Sequence, residues 1–173
     1  MILGVSGHRP HYWAYDKERS LRLVELVRAQ LQALQPERVI TGMALGMDLA
    51  VAKACVLSDV PFEAAIPFRG QHLRWGAVDQ REYMDLLMKA AKVTVVTEGE
   101  YSVEAMLARN AYIVANSHEM LVLHNGSVKG GTAHAVGLAK QRGLPTVNIW
   151  KEFARSMPAV KKNTNRNLWS QNV

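Results

Sequence analysis

Between Val122 and Ala139 the sequence VLHNGSVKGGTAHAVGLA passes from an apolar run through a glycine-rich turn into a segment of helical periodicity. Gly130, Gly131 and Thr132 stand where that helix must begin, so bare backbone N–H groups, the positive end of a helix dipole and a hydroxyl meet at one point. Such a point binds anions, phosphate foremost. Asn125 and Gly126, at the end of the preceding apolar run, add a turn and a side-chain amide beside it. A Gly-Gly-Thr alone is a weak signal. It gains weight here because four other loops of similar chemistry recur along the chain.

The first of these, VSGHRPHYW, has Gly7 for a close backbone approach and Arg9 as a planar cationic fork for phosphate or carboxylate. His8 and His11 lie beside it, but no carboxylate or cysteine spacing accompanies them, so no metal is expected. The second, TGMALGMD, carries Gly42 and Gly46 ahead of a helix, without the lysine of a P-loop or the spacing of G-x-G-x-x-G. Asp48 falls in that helix's first turn, where a carboxylate either complements the dipole or accepts from ribose hydroxyls. In IPFRGQHLRW, Arg69, Gln71, Arg74 and Trp75 could form a stacking wall with cations nearby, while Phe68 reads better as core. The stretch beginning YSVEAMLARN offers Tyr101, then Ser102 as an N-cap and Glu104 in the first turn, with Arg109 and Asn110 two turns in. An inward Asn110 would require a polar partner.

These loops must be carried by something regular. Apolar runs at Ile2–Ser6, Arg38–Thr41, Phe62–Ile66, Lys92–Thr97, Met120–His124 and Thr146–Ile149 predict strands. Amphipathic segments at Lys17–Leu34, Met47–Leu57, Gln80–Ala91, Val103–Asn116 and Thr132–Arg142 predict the helices between them. Strand and helix in alternation make a single Rossmann-like, three-layer α/β domain, with a mainly parallel sheet and helices on both faces. All five unusual loops follow strands, whereas the opposite connections, LQPE and SDVP, are ordinary turns. In an open parallel sheet that asymmetry places a binding site beyond the strands' carboxyl ends.

The chain has 173 residues, enough for one core, with a single cysteine, Cys55, in an apolar run. No internal disulfide can form, no membrane-length apolar run is present, and no signal peptide is expected. The expectation is a cytoplasmic protein with no membrane contact and an inert, buried thiol. Net charge is +6, of which +4 falls in residues 151–173. We therefore divide the chain into a domain, 1–150, and a basic C-terminal extension, 151–173. The extension is either a solvated arm, a dimer contact or a phosphate-backbone contact, and Trp169 suggests that it docks.

The ordered set SGHRP, TGMALGMDLAVAKA, IPFRGQ, ARNAYIVANSHEMLVLHNG and GGTAHAVGLAKQRGLPTVNI resembles the YpsA-like branch of the SLOG superfamily over residues 1 to about 150. That superfamily also holds DprA and the LOG enzymes, and the YpsA-like branch is common in bacteria and phages. The resemblance implies a Rossmann-like fold that binds or senses a nucleotide-derived small molecule, and a homodimer. The cofactor, if any, is unassigned. LOG enzymes cleave nucleotide N-glycosidic bonds with a GGxGTxxE motif. Here Ala135 occupies the glutamate position, so a phosphoribohydrolase would need Asp48 or Glu104 as its catalytic carboxylate. The DprA resemblance supplies a third reading, single-stranded nucleic-acid binding through Arg9, Arg69, Arg74 and the extension.

Overall fold

The computed structural model describes residues 1–12 and 16–155. Six strands, β1 (Ile2–Gly7), β2 (Arg38–Thr41), β3 (Phe62–Ile66), β4 (Lys92–Val95), β5 (Glu119–Leu123) and β6 (Thr146–Asn148), form one sheet. Its order is β4-β3-β2-β1-β5-β6, and every pairing is parallel. The connecting helices are α1 (Lys17–Leu34), α2 (Met47–Leu57), α3 (Ala77–Leu87), α4 (Val103–Ala115) and α5 (Gly131–Gln141), followed by α6 (Trp150–Arg155). The Rossmann-like α/β reading holds.

Strand parity sorts the core into two layers. Leu3, Val5, Val39, Phe62, Ala64, Leu121 and Leu123 meet α1, α2, α3 and α6 on one face; Ile40, Ala65, Met120 and Val122 meet α4 and α5 on the other. Both faces are covered, so the strands read as continuous apolar runs rather than alternating ones. α2 is buried nearly all round, Cys55 included, and burial pushes that thiol up to about 12. This is why MDLAVAKACVL shows little one-sidedness.

The larger departures from the pattern-based expectation fall at α3, at β4, which ends at Val95 rather than Thr97, and after Trp150. α3 begins three residues earlier, after Gly76, and ends at Leu87, where Lys89 and Ala90 turn back onto Leu86 and Leu87 through short i→i−3 bonds. Beyond Trp150 the chain does not leave the domain at once: Phe153 is fully buried in the larger core layer, and α6 packs on α1. The rest of the basic segment, including Trp169, lies outside the described residues.

β3 and β4 are also joined by a buried acid. Glu63, paired in register with Lys92, accepts hydrogen bonds at Oε1 from Tyr112 Oη (2.7 Å), Thr94 Oγ1 (2.8 Å) and Lys92 Nζ (3.1 Å). Burial pushes its carboxyl up, but these three donors together outweigh burial and hold it below the ordinary glutamate value. A depressed carboxylate stabilises the fold above its unfolded value and loses that contribution as pH falls through the folded one. The melting temperature is therefore expected to fall as pH drops below 4.5, the ordinary value, and Glu63→Gln is expected to flatten that fall while lowering stability at pH 7. Identical acid profiles for wild type and variant would remove Glu63 from the account.

Candidate functional site

The sheet order reverses direction between β1 and β5, and a cavity of about 310 Å³ opens there beyond the strand ends. One wall is the β1 loop, with Gly7, His8, Arg9, His11 and Tyr12; another is the start of α4, from Tyr101 to Asn110; the third is Lys129–Thr132 at the start of α5. Asp48 and Arg109 lie at its floor.

The α5 end of the cavity is built to meet something polar. Gly130 takes φ +99°, in the left-handed region, and no side chain caps the helix. By contrast, Ser102 caps α4 by accepting from the Ala105 N–H at 3.0 Å. The first N–H groups of α5 therefore have no intrahelical acceptor. Thr132 and Ser6 both line the cavity, are more than nine-tenths buried, and have no hydrogen-bond partner for their hydroxyls among the described residues.

Beneath this lies an ion pair. Arg109 Nη1 is 3.3 Å from Asp48 Oδ2, which also accepts from the Ala44 N–H at 3.3 Å. Arg109 Nε donates to Asn110 Oδ1 (3.0 Å), and Asn110 Nδ2 donates to the Gly131 carbonyl (2.9 Å). Asn110 thus has the polar partners its inward position requires. Burial is the largest influence on the pair, raising Asp48 and lowering Arg109, each opposed by the charge of the other. The guanidinium keeps its proton, because arginine starts so far above neutrality. Gly42 is part of this arrangement rather than of the cavity wall, since a Cβ there would overlap the Arg109 guanidinium.

His8, weighed from sequence only as a metal candidate, is a latch. Its Nε2 lies 3.0 Å from the Asn125 N–H and 2.8 Å from Asn125 Oδ1, and its ring stacks on Tyr12 at 4.1 Å. Burial lowers its pKa, with Asn125 opposing and His124 and His11 adding to the fall, and the ring's tautomer decides whether Nε2 accepts the Asn125 N–H or donates to Oδ1. Asn125 therefore acts from behind the β5 loop, and neither it nor Gly126 borders the cavity. Gly46 packs on the backbone of His8 and Arg9. Ser102 is spent as a cap, and Glu104 is exposed and borders no cavity.

A second cavity, about 580 Å³, adjoins the first along Arg9, Tyr101 and Met106, which border both. It collects Phe68, Arg69, Gln71, Arg74 and Trp75. Phe68 is buried, as expected, and meets Tyr101 edge-on at 6.1 Å; Trp75 packs edge-on against Tyr83 at 5.4 Å. Gln71 Nε2 donates to the Gly42 carbonyl (3.2 Å) and to Tyr83 Oη (3.4 Å), joining this wall to the Asp48 loop. Sequence reasoning missed Ser6, Met106, Leu107 and Lys129. Ser6 was accessible to it: with Leu3 and Val5 facing one layer, the last polar residue of β1 must face the other.

A parallel sheet with a two-part cleft beyond its strand ends defines a Rossmann-like α/β domain. Within that class, the chain belongs to the YspA SLOG family, whose profile matches residues 3–148. It is 24% identical over 151 residues to UPF0398 protein BH1768 of Halalkalibacterium halodurans, covering 82% of this chain and 79% of that one. In structure it is similar to DNA processing protein A from Helicobacter pylori, described for its single-stranded DNA binding mode, with TM-score 0.60 and 16% identity. That match covers 84% of this chain but only 63% of the Helicobacter chain. The molybdenum cofactor carrier protein from Chlamydomonas reinhardtii is similar at TM-score 0.53 and 17% identity, over 85% of this chain and 74% of that one. These likenesses establish the fold.

Breaking the buried pair from one side leaves a charge unpaired, which costs about 3–5 kcal/mol. Asp48→Asn and Arg109→Met are each expected to show that loss in denaturant unfolding, and the double variant much less than their sum. Additivity within about 0.5 kcal/mol would mean that the two residues do not act as a unit. Gly42→Ala is expected to behave like Arg109→Met.

Proposed function

We propose that this protein binds or senses a nucleotide-derived small molecule, with a phosphate at the N-terminus of α5. The observation that carries the reading is the start of α5, where uncapped backbone N–H groups and the unpartnered Thr132 hydroxyl border the cavity together. A helix start without a capping side chain leaves donors that a bound anion can satisfy. Arg9, Lys129 and the α5 dipole make the surroundings positive, which selects an anion.

Binding is favoured over bond cleavage by the state of the carboxylates. Asp48 is held by Arg109 and the Ala44 N–H, and Glu104 stands outside the cavity. The named ligands of the structural relatives, single-stranded DNA and a cofactor, are in keeping with a phosphate-bearing guest. A cytoplasmic setting and pairing of two copies complete the proposal; the buried, unpaired Cys55 fits the first.

A ligand at a hundred times its Kd stabilises by about 2.7 kcal/mol, several degrees in melting temperature for a chain of this size. One nucleotide class in a panel of mono-, di- and cyclic nucleotides is expected to give such a shift. Gly131→Asp is expected to abolish it by placing a carboxylate in the anion's position. The variant should fold, since a Cβ there meets only Asn110 Nδ2 at 3.6 Å, and an acid in the first turn suits the dipole. A panel without any shift, or an unchanged response in the variant, would refute the reading.

A further inference from the structure

The proposed anion site accounts for the smaller cavity and leaves the larger one without a use. Arg69 and Arg74, both exposed, border that larger cavity, and Arg9 stands on the wall it shares with the smaller one. None of the three pairs with a carboxylate among the described residues. Three arginines along one cleft without an ion pair, one of them also acting on the buried Asp48, form a positive track for negative charge. Tyr101, also on the shared wall, is 60% exposed although aromatic and is propped edge-on by Phe68. An exposed ring held in place between two cationic ends is a stacking surface for a planar group.

Resting on the phosphate reading above, we propose that the ligand carries two phosphates separated by a nucleoside. One phosphate sits at Thr132 and the α5 N-terminus, the base lies against Tyr101 beside Arg9, and the second phosphate reaches Arg69 and Arg74. A nucleoside bisphosphate or a short dinucleotide carries its charges in this order. Adjacent phosphates, as in a nucleoside diphosphate, would leave the far arginines without a partner. The same chemistry occurs in a nucleic-acid strand, but the body of the chain carries only +2 over residues 1–150. Glu100 also borders the larger cavity, which opposes a continuous backbone passing through. The ligand is a small molecule.

Calorimetric titration with AMP, adenosine 3′,5′-bisphosphate and the dinucleotide pApA, alongside oligonucleotides of increasing length, tests this directly. The bisphosphate or the dinucleotide is expected to bind wild type about tenfold tighter than AMP, the gain of a charge-assisted contact. The double reversal Arg69→Glu/Arg74→Glu, at two exposed positions, is expected to cost that ligand about ten times more than it costs AMP. Equal affinity of all three small probes, or an equal loss for all in the double variant, would overturn the two-phosphate ligand. Affinity that keeps rising with oligonucleotide length and falls steeply with salt would overturn it in favour of a strand. Failure of the underlying phosphate site has a different signature. Gly131→Asp would then leave AMP binding intact, whereas an AMP site lost in Gly131→Asp without any bisphosphate advantage would refute only the extension.

Discussion

The site depends on one buried pair of charges, Asp48 with Arg109. The acid belongs to the first turn of α2 and the guanidinium to α4; through Asn110 the same network reaches the Gly131 carbonyl at the start of α5. Three helices that approach the sheet from two faces are thereby held in one geometry at its carboxyl edge. Taking charges out of water is expensive, and a hydrophobic trio would pack with less cost. What the pair supplies is position: the distance between the α2 and α5 termini is set by directional contacts rather than by side-chain volume.

The walls above that floor are held by equally specific ties. His8 joins the β1 loop to Asn125 after β5, and Gln71 joins the loop after β3 to Gly42 after β2. Neighbouring loops are therefore pinned to each other across the strand ends, while Arg9, Arg69, Arg74 and Tyr101 are among the cleft residues that stay exposed. A rigid frame with a few long, mobile-ended side chains is the usual division of labour in ligand sites.

Much of this architecture was readable in the residues. Strand and helix positions follow from apolar spacing, and the concentration of Gly, Arg and aromatic residues after the strands located the cleft. The errors fall where pattern carries no information. α3 starts earlier than its pattern because its first turn, AVD, follows a glycine without a capping side chain, and α6 is not legible because six residues show too little period. Among site residues, composition cannot separate those that face a cavity from those that support it. Gly42 and Asn125 have the chemistry of ligand contacts, but Arg109 covers the one and His8 holds the other. Asp48 read equally as a dipole partner or a ribose acceptor, and it is the partner of an arginine 61 positions away that no local pattern announces.

Finally, the central place of β1 bears on how the molecule assembles. Its two neighbours are β2, the next strand in the chain, and β5, so the contact between His8 and Asn125 joins residues 117 positions apart. Closing a loop of that length costs entropy before any contact returns it, so the β1–β5 pairing carries the largest closure cost of the sheet's strand pairs. The half-sheet β1 to β4 can zip up by successive crossovers without it. The cleft cannot, because its walls come from both sides of that junction. The cleft is therefore complete only once the chain has been made as far as the start of α5 and β1 has paired with β5.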